Sequence, residues 1–336
     1  MLLLKIILLR PISWVYAFVV WIRNYFYDIG FFTSKKFETP TICVGNLSVG
    51  GTGKTPMIEL LISILKEQYK VVVLSRGYGR KSKGYILASS NTTVEELGDE
   101  PYQIHSKFPQ INLVVDGDRG TAISKIEKEL KAEVILLDDA FQHRKVTPSF
   151  SILLTAYSKL YADDSYLPSG ELRDHKSQAK RASVIIVTKC PKNLSEEDKK
   201  YVVARKLKPN KNQKVLFSYL TYDLELKGVG SSIKLSELKT KEVTLVTGIA
   251  NPKPLVSFLN KKNISFNHLA YRDHHFFTDK QLQFFNSKEI ILTTEKDFVR
   301  LKGKVVNVYY IGVKHDFFDN GKEILEKELF SLMMKQ

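Results

Sequence analysis

The chain has 336 residues, 43% of them hydrophobic and 26% charged, enough for one large core or two smaller ones. Its two cysteines, Cys43 and Cys190, stand far apart without metal-ligand neighbours, which supports neither a disulfide framework nor a zinc site and fits a reducing cytoplasm. A formal net charge of +15 demands a polyanion, whether nucleic acid, an anionic membrane leaflet or a phosphorylated substrate, and does not by itself choose among them.

Residues 2–9 are apolar except for Lys5, Arg10 and Pro11 interrupt, and residues 12–22 are apolar except for Ser13. Neither run reaches the roughly 20 residues that cross a bilayer. No small-residue cleavage site follows, so the segment is expected to be retained. Pro11 suits the first turn of a second helix, and Trp14, Tyr16, Trp21, Tyr25 and Tyr27 are amphipathic rings that favour an interface. With Lys5, Arg10, Arg23, Lys35 and Lys36 near the headgroups, residues 1–35 read as a peripheral or monotopic anchor. The alternative is a helix pair packed into the core, since aromatic stripes at helical spacing also mark core faces.

Beyond this segment, short β-rich runs alternate with amphipathic helical stretches, the signature of an α/β fold with a largely parallel sheet. Strands are predicted at 41–44, 71–75, 112–115, 134–138, 151–155 and 184–188, with helices between them, for example 56–66 and 119–130. The charges of the Lys-rich stretch 192–214 read as a solvated helix face rather than a nucleic-acid groove, and 195–213 within it reads as a helix and linker. Residues 214–240 are expected to form a connecting ribbon. A second, smaller α/β lobe then occupies 241–336, so the first lobe would span 36–213.

The strongest local signal lies between the first strand and the first helix of that lobe: Val44-Gly45-Asn46-Leu47, then Ser48-Val49-Gly50-Gly51-Thr52-Gly53-Lys54-Thr55, then Pro56. Glycines let the backbone curl so that successive N–H groups and the helix N-terminus face a polyphosphate. Lys54 can reach the outer phosphates, and the Thr55 hydroxyl can ligate magnesium. Ser48 occupies a position where the usual P-loop has Gly, and Gly50, Gly51 and Gly53 still supply the permissive turns. The run at 134–137 ends in Asp138-Asp139, placing two carboxylates at the C-terminal edge of a parallel sheet, where ligands bind. With Thr55 they are the natural holders of magnesium in a P-loop enzyme that uses ATP.

Other P-loop classes fit less well. The Asn-Lys-x-Asp of a guanine-specific GTPase has no counterpart in Thr188-Lys189-Cys190-Pro191, and Val49 stands where a partitioning-type ATPase carries a signature Lys. Nine ordered stretches together resemble the tetraacyldisaccharide 4′-kinases of lipid A biosynthesis over nearly the whole chain. They are Trp14-Val15-Tyr16, the loop from Val44 to Pro56, Ser75-Arg76-Gly77-Tyr78-Gly79-Arg80, Gly98-Asp99-Glu100-Pro101, Asp138-Asp139-Ala140-Phe141-Gln142-His143, Leu167-Pro168-Ser169-Gly170-Glu171-Leu172-Arg173, Gly248-Ile249-Ala250-Asn251-Pro252, Asp273-His274 and Thr294-Glu295-Lys296-Asp297. The family usually has Gly at the position of Ala140, Pro at Glu171 and Glu at Asp174.

The resemblance implies a kinase that uses ATP and Mg2+ to phosphorylate the 4′-hydroxyl of an acylated glucosamine disaccharide 1-phosphate, giving lipid IVA. It also implies work at the cytoplasmic face of the inner membrane, with the membrane surface and no nucleic acid as partner. A membrane-associated P-loop ATPase acting as a switch or scaffold is the alternative. The proton of the sugar hydroxyl needs an acceptor, and an imidazole has a suitable pKa. His274 assisted by Asp99 is the expected pair, both lying in shared motifs. Taken alone, Asp99 could instead be a helix N-cap and residues 273–277 a plain loop.

Overall fold

The computed structural model describes residues 2–335, with side chains from residue 9 onward. Lys5, expected among the headgroup-facing cations, therefore lies outside the described side chains. Fifteen strands form two sheets. The first nine-stranded sheet takes β1 (Thr41–Asn46), β2 (Val71–Ser75), β3 (Ile86–Leu87), β4 (Asn112–Val115), β5 (Val134–Asp138), β6 (Phe150–Ala156), β7 (Val184–Thr188), β8 (Lys214–Tyr222) and β15 (Val313–Phe317), in the order β15-β8-β7-β6-β1-β5-β2-β4-β3. The second takes β9 (Glu225–Lys227), β10 (Ser232–Lys234), β11 (Val243–Thr247), β12 (Asn267–Ala270), β13 (Ile290–Thr294) and β14 (Val308–Ile311), in the order β10-β9-β14-β13-β11-β12.

The central strands read VVVLS, VILLD and VIIVT and are buried at every residue, as parallel strands covered on both faces must be. Antiparallel pairs occur in the first sheet only at its two edges, β3 on β4 and β15 on β8. Strand β1 lies between β5 and β6, both parallel to it. The register sets Val44 beside Asp138, which brings the start of the glycine loop and the two carboxylates to one sheet edge.

The sheets divide the chain differently from the expected boundaries. Residues 214–222, read as the start of a connecting ribbon, extend the first sheet as β8, parallel to β7. Only β9 and β10 cross to the second. The chain then returns, and β15 with the helix Gly321–Met334 completes the first lobe. Leu325 and Leu329 of that helix are fully buried in the core of the first sheet. An apolar strand is legible from sequence, whereas the sheet it joins depends on residues about 100 positions away.

The N-terminal segment is one helix, Leu2–Asp28, rather than two, and it passes through Pro11. Proline at this exposed position removes one backbone hydrogen bond without ending the helix. The inward face is polar: Ser13 Oγ bonds Ser169 Oγ at 2.8 Å, Tyr16 donates to the Arg173 carbonyl at 3.0 Å, and Asn24 Nδ2 donates to Asp174 Oδ1 at 2.7 Å. Asp174, where the family usually has Glu, is fully buried and fastens this helix to the body. Trp14, Val15, Phe18, Val19, Trp21 and Tyr25 point outward, with Trp14 70% exposed. This reverses the arrangement of a soluble surface helix. Among the described residues no helix is long and apolar enough to cross a membrane.

A buried charge cluster joins the lobes. Lys107 Nζ, on the helix Asp99–Lys107, lies 2.6 Å from Glu59 of the helix Lys54–Leu65 and 3.0 Å from Glu295 of the second lobe. Burial, then Glu59, pushes the Glu295 carboxyl from its ordinary 4.5 up to about 7, and burial likewise raises Glu59. Burial alone would lower Lys107, but the two carboxylates outweigh it and hold the ammonium charged. Lys107→Met strands two buried acids, and at pH 8 the folded state is expected to lose ~3 kcal/mol in chemical denaturation. Because the folded acids bind protons more tightly than the unfolded ones, stability falls as pH rises from 4.5 through 7, and the loss at pH 6 should be the smaller.

Candidate active site

The loop after β1 runs into the helix Lys54–Leu65, whose N-cap, Gly53, holds φ at +89°. A Cβ there would enter the left-handed region and come within 2.9 Å of His315 Nε2. His315 of β15 donates from Nε2 to the Gly53 carbonyl at 2.9 Å, and its Nδ1 accepts from Ser218 Oγ at 3.1 Å. Burial holds that imidazole down to about 4, so it stays neutral and keeps this tautomer at neutral pH. The opposite side is closed by the Thr188 hydroxyl, which donates to the Thr52 carbonyl at 2.8 Å. Asn46 Nδ2 reaches the Thr52 hydroxyl at 3.0 Å from within the loop.

Lys54 leaves the first turn of the helix with Nζ 3.5 Å from Asn46 Oδ1 and 3.7 Å from Asp139 Oδ1. Arg173, from the loop ahead of Asp174, donates through Nη1 to Asp139 Oδ2 at 3.1 Å and through Nη2 to Asn46 Oδ1 at 2.7 Å. Its Nη2 also contacts Asp139 Oδ1. Burial would raise the Asp139 carboxyl, but Lys54 and Arg173 hold it below the ordinary range. Asp139 is thus ionised and gathers two cations beside the loop.

Asp138 differs. Ser75 Oγ donates to its Oδ2 at 2.9 Å, while Oδ1 is buried with no partner. Burial, then the charges of Glu100 and Asp139, pushes the carboxyl up to about 7. A buried carboxylate oxygen without a donor is costly. A divalent cation would satisfy that oxygen and replace its proton, so Asp138 suits a hard metal such as Mg2+.

The expected Asp99 and His274 meet across the lobes, 175 positions apart, with His274 Nδ1 2.7 Å from Asp99 Oδ2. Asp99 is not the N-cap: Gly98 is, at φ +86°, and Asp99 is the first helical residue with its carboxylate free to turn toward the second lobe. Arg300 donates from Nε to Asp99 Oδ1 at 3.0 Å and from Nη2 to Asp99 Oδ2. His274 sits at φ +59°, with its backbone N–H donating to the Gly248 carbonyl at 3.1 Å. On the outer side of the ring, Lys296 Nζ stands 3.0 Å from Nε2 and 3.3 Å from Asp273 Oδ1. His275 points elsewhere, with Nε2 3.1 Å from Gln281 Oε1 and its ring stacked on Tyr271 at 4.7 Å. No group of three or more His, Cys, Asp or Glu side chains is arranged as a ready-made metal cage among the described residues. Glu100, next to Asp99 in sequence, is among the charges that raise the Asp138 carboxyl.

Sequence reasoning assigned no role to Arg173, Arg300, Lys296 or His315. Arg173 and Lys296 lie in quoted motifs beside an acidic residue, which was the available signal, whereas Arg300 stands three positions beyond Asp297 with no acidic neighbour in sequence. His315 carries no local signal, because its partner Gly53 is 262 positions away.

The model of the tetraacyldisaccharide-1-P 4′-kinase family matches residues 5–330. A protein of Flavobacterium johnsoniae named tetraacyldisaccharide 4′-kinase is 47% identical over 319 residues, covering 93% of both chains. One of that name from Bacteroides thetaiotaomicron is 43% identical over 313 residues, covering 87% of this chain and 82% of its own. The structure superposes with a TM-score of 0.82 and 30% identity on the Aquifex aeolicus protein LpxK crystallised in complex with ATP, over 98% of this chain and 99% of that one.

Proposed function

The chain belongs to the tetraacyldisaccharide-1-P 4′-kinase family, and from that premise we propose how its own residues transfer phosphate from ATP to the lipid A precursor. Phosphoryl transfer asks a protein for positioning and charge neutralisation more than for covalent chemistry. The loop 48–55 offers backbone N–H groups and the helix N-terminus to the triphosphate, and Lys54 with Arg173 faces the charge that spreads over the transferred group. Thr55 and Asp138 would hold Mg2+, which would supply positive charge against the phosphates. Asp139, occupied by Lys54 and Arg173, serves the metal site by holding those cations in place. His274 receives the proton of the sugar 4′-hydroxyl on Nε2, and Asp99 orients the ring through Nδ1.

The observation that carries this reading is the Asp99–His274 pair, built from both lobes. A P-loop ATPase that only switches state has no need of a base beside its phosphate site. The outward apolar face of the N-terminal helix, together with Ile29, Phe31 and Phe32 beyond it, supports a lipid surface as the place of work.

Incubation with γ-labelled ATP and the acylated disaccharide 1-phosphate in anionic vesicles should move label to the lipid. Release of free phosphate with unlabelled lipid would favour the switch ATPase. Replacing Trp14, Phe18 and Trp21 together by Ser removes exposed rings only, and is expected to shift the protein out of the vesicle fraction while leaving its melting temperature nearly unchanged. Full retention on vesicles would place the anchor elsewhere.

A further inference from the structure

Lys296 Nζ stands against the nitrogen of His274 that has to receive the proton, nearer than the Asp273 carboxylate at 3.8 Å, and the reaction as read so far gives that ammonium nothing to do. We infer that Lys296 is a positioning residue that fixes the reactive tautomer of His274 and keeps its Nε2 unprotonated until the sugar hydroxyl arrives. The inference rests on the reading of His274 as the base.

An ammonium has three donors and no acceptor. At 3.0 Å, Lys296 Nζ can only donate to His274 Nε2, so Nε2 presents its lone pair and the ring proton sits on Nδ1. That proton has its acceptor in Asp99 Oδ2 at 2.7 Å. Arg300 Nη2 also lies 3.2 Å from Nδ1, but a guanidinium cannot accept a hydrogen bond, and this nitrogen already donates to the same Asp99 oxygen. The contacts on both sides of the ring therefore agree on one tautomer. Asp99 alone would not secure it, because a carboxylate equally welcomes the doubly protonated ring. The opposing cation makes a proton on Nε2 unfavourable.

The charged groups facing His274 are Asp99 from the helix Asp99–Lys107, Lys296 and Arg300 from the helix Glu295–Leu301, and Asp273 beside it in its own loop. The exposed Tyr78 ring approaches edge-on at 6.3 Å. Asp273 Oδ1, 3.3 Å from Lys296 Nζ, gives the ammonium a second partner. When the 4′-hydroxyl takes the place in front of Nε2, Lys296 swings to Asp273. The sugar oxygen then bonds to the γ-phosphorus as the bond from that phosphorus to the bridging oxygen breaks. ADP leaves with that electron pair, the hydroxyl proton passes to Nε2, and solvent later removes it.

The test is made on the full chain with ATP and the acylated disaccharide 1-phosphate, comparing Lys296→Met, Lys296→Gln, Lys296→Arg and His274→Ala. Lys296→Met is expected to lower kcat about tenfold at pH 7, a fraction of what a general base contributes, with the KM for ATP within about twofold of the parent. The acidic limb of its kcat profile should move up by about half to one pH unit, because a neighbouring cation no longer opposes protonation. Lys296→Arg should restore most of kcat and the original limb. Imidazole 15N resonances, with His274 assigned by its loss in His274→Ala, should report Nδ1–H with bare Nε2 in the parent and a rise of the Nε2-protonated forms in Lys296→Met. If Lys296→Met does not fold, Lys296→Gln keeps a donor without the charge and should still show the displaced limb. An unmoved acidic limb with unaltered 15N signals would overturn the inference while His274→Ala remains inactive. Normal turnover in His274→Ala would instead remove the base reading beneath it.

Discussion

Lys54→Ala is expected to lower kcat about a thousandfold, the scale on which a single cation or donor acts on a transferring phosphoryl group. The folded protein should barely notice. Lys54 Nζ makes only a 3.5 Å contact with Asn46 and a 3.7 Å pairing with Asp139, and Arg173 continues to neutralise that carboxylate in the variant. The melting temperature without nucleotide should therefore stay within about 2 °C, because a weakened, partly solvated ion pair is worth under about 1 kcal/mol. Lys54→Arg should not rescue, since the wider guanidinium would compete with Arg173 for Asp139 and cannot reproduce a point charge. Turnover near normal in Lys54→Ala, measured with saturating ATP, would remove the loop from the reaction.

The second large effect belongs to the pair that spans the lobes. His274→Ala is expected to lose about a thousandfold in kcat while still binding ATP, in the range a positioned general base supplies. For Asp99 the informative change is to Asn. Arg300 is 5% exposed and donates to both Asp99 oxygens, so Asp99→Ala would leave a buried guanidinium unpaired and confound activity with a folding loss of roughly 3 kcal/mol or more. Asp99→Asn keeps the shape but offers one acceptor where two stood, and its amide can hold His274 in the wrong tautomer. The double variant His274→Ala with Asp99→Asn should lose little more than either single change, as residues acting as one unit do. Multiplicative losses, with ATP affinity checked in each variant, would show that Asp99 acts apart from His274.

The phosphate loop was legible because its parts are contiguous: β1, the glycines, Lys54 and the helix follow one another within 25 residues. Asp138 and Asp139 were legible because an apolar run that closes on two acids marks the C-terminal edge of a parallel strand, and the register opposite Val44 then places them. The partnership of Asp99 with His274 was named on motif resemblance, since no local rule joins residues 175 positions apart. Arg173 and Arg300 escaped assignment for the same reason, each answering a carboxylate that arrives from another element. Pro11 was given too much weight as a boundary, because the helix runs on through it as far as Asp28. The ribbon drawn at 214–240 failed at its first half because a nine-residue β-rich run, KVLFSYLTY, can equally line the edge of a large sheet.

The position of β15 has a bearing on how the protein comes into being at the ribosome. Strands are made in order, and β8 is complete before the second lobe, residues 225–311, has been synthesised, its outer edge still without the strand that covers it. An open edge beside an apolar core is a site where nascent chains stick to one another. Only the last residues of the chain, β15 and the helix Gly321–Met334, close it. The same closing strand delivers His315 to the Gly53 carbonyl, so the turn on which the triphosphate is to rest gains its last support after some 310 residues have been translated. A chain cut short by a premature stop after 312 would carry every loop and carboxylate named here and still lack the His315 brace at Gly53.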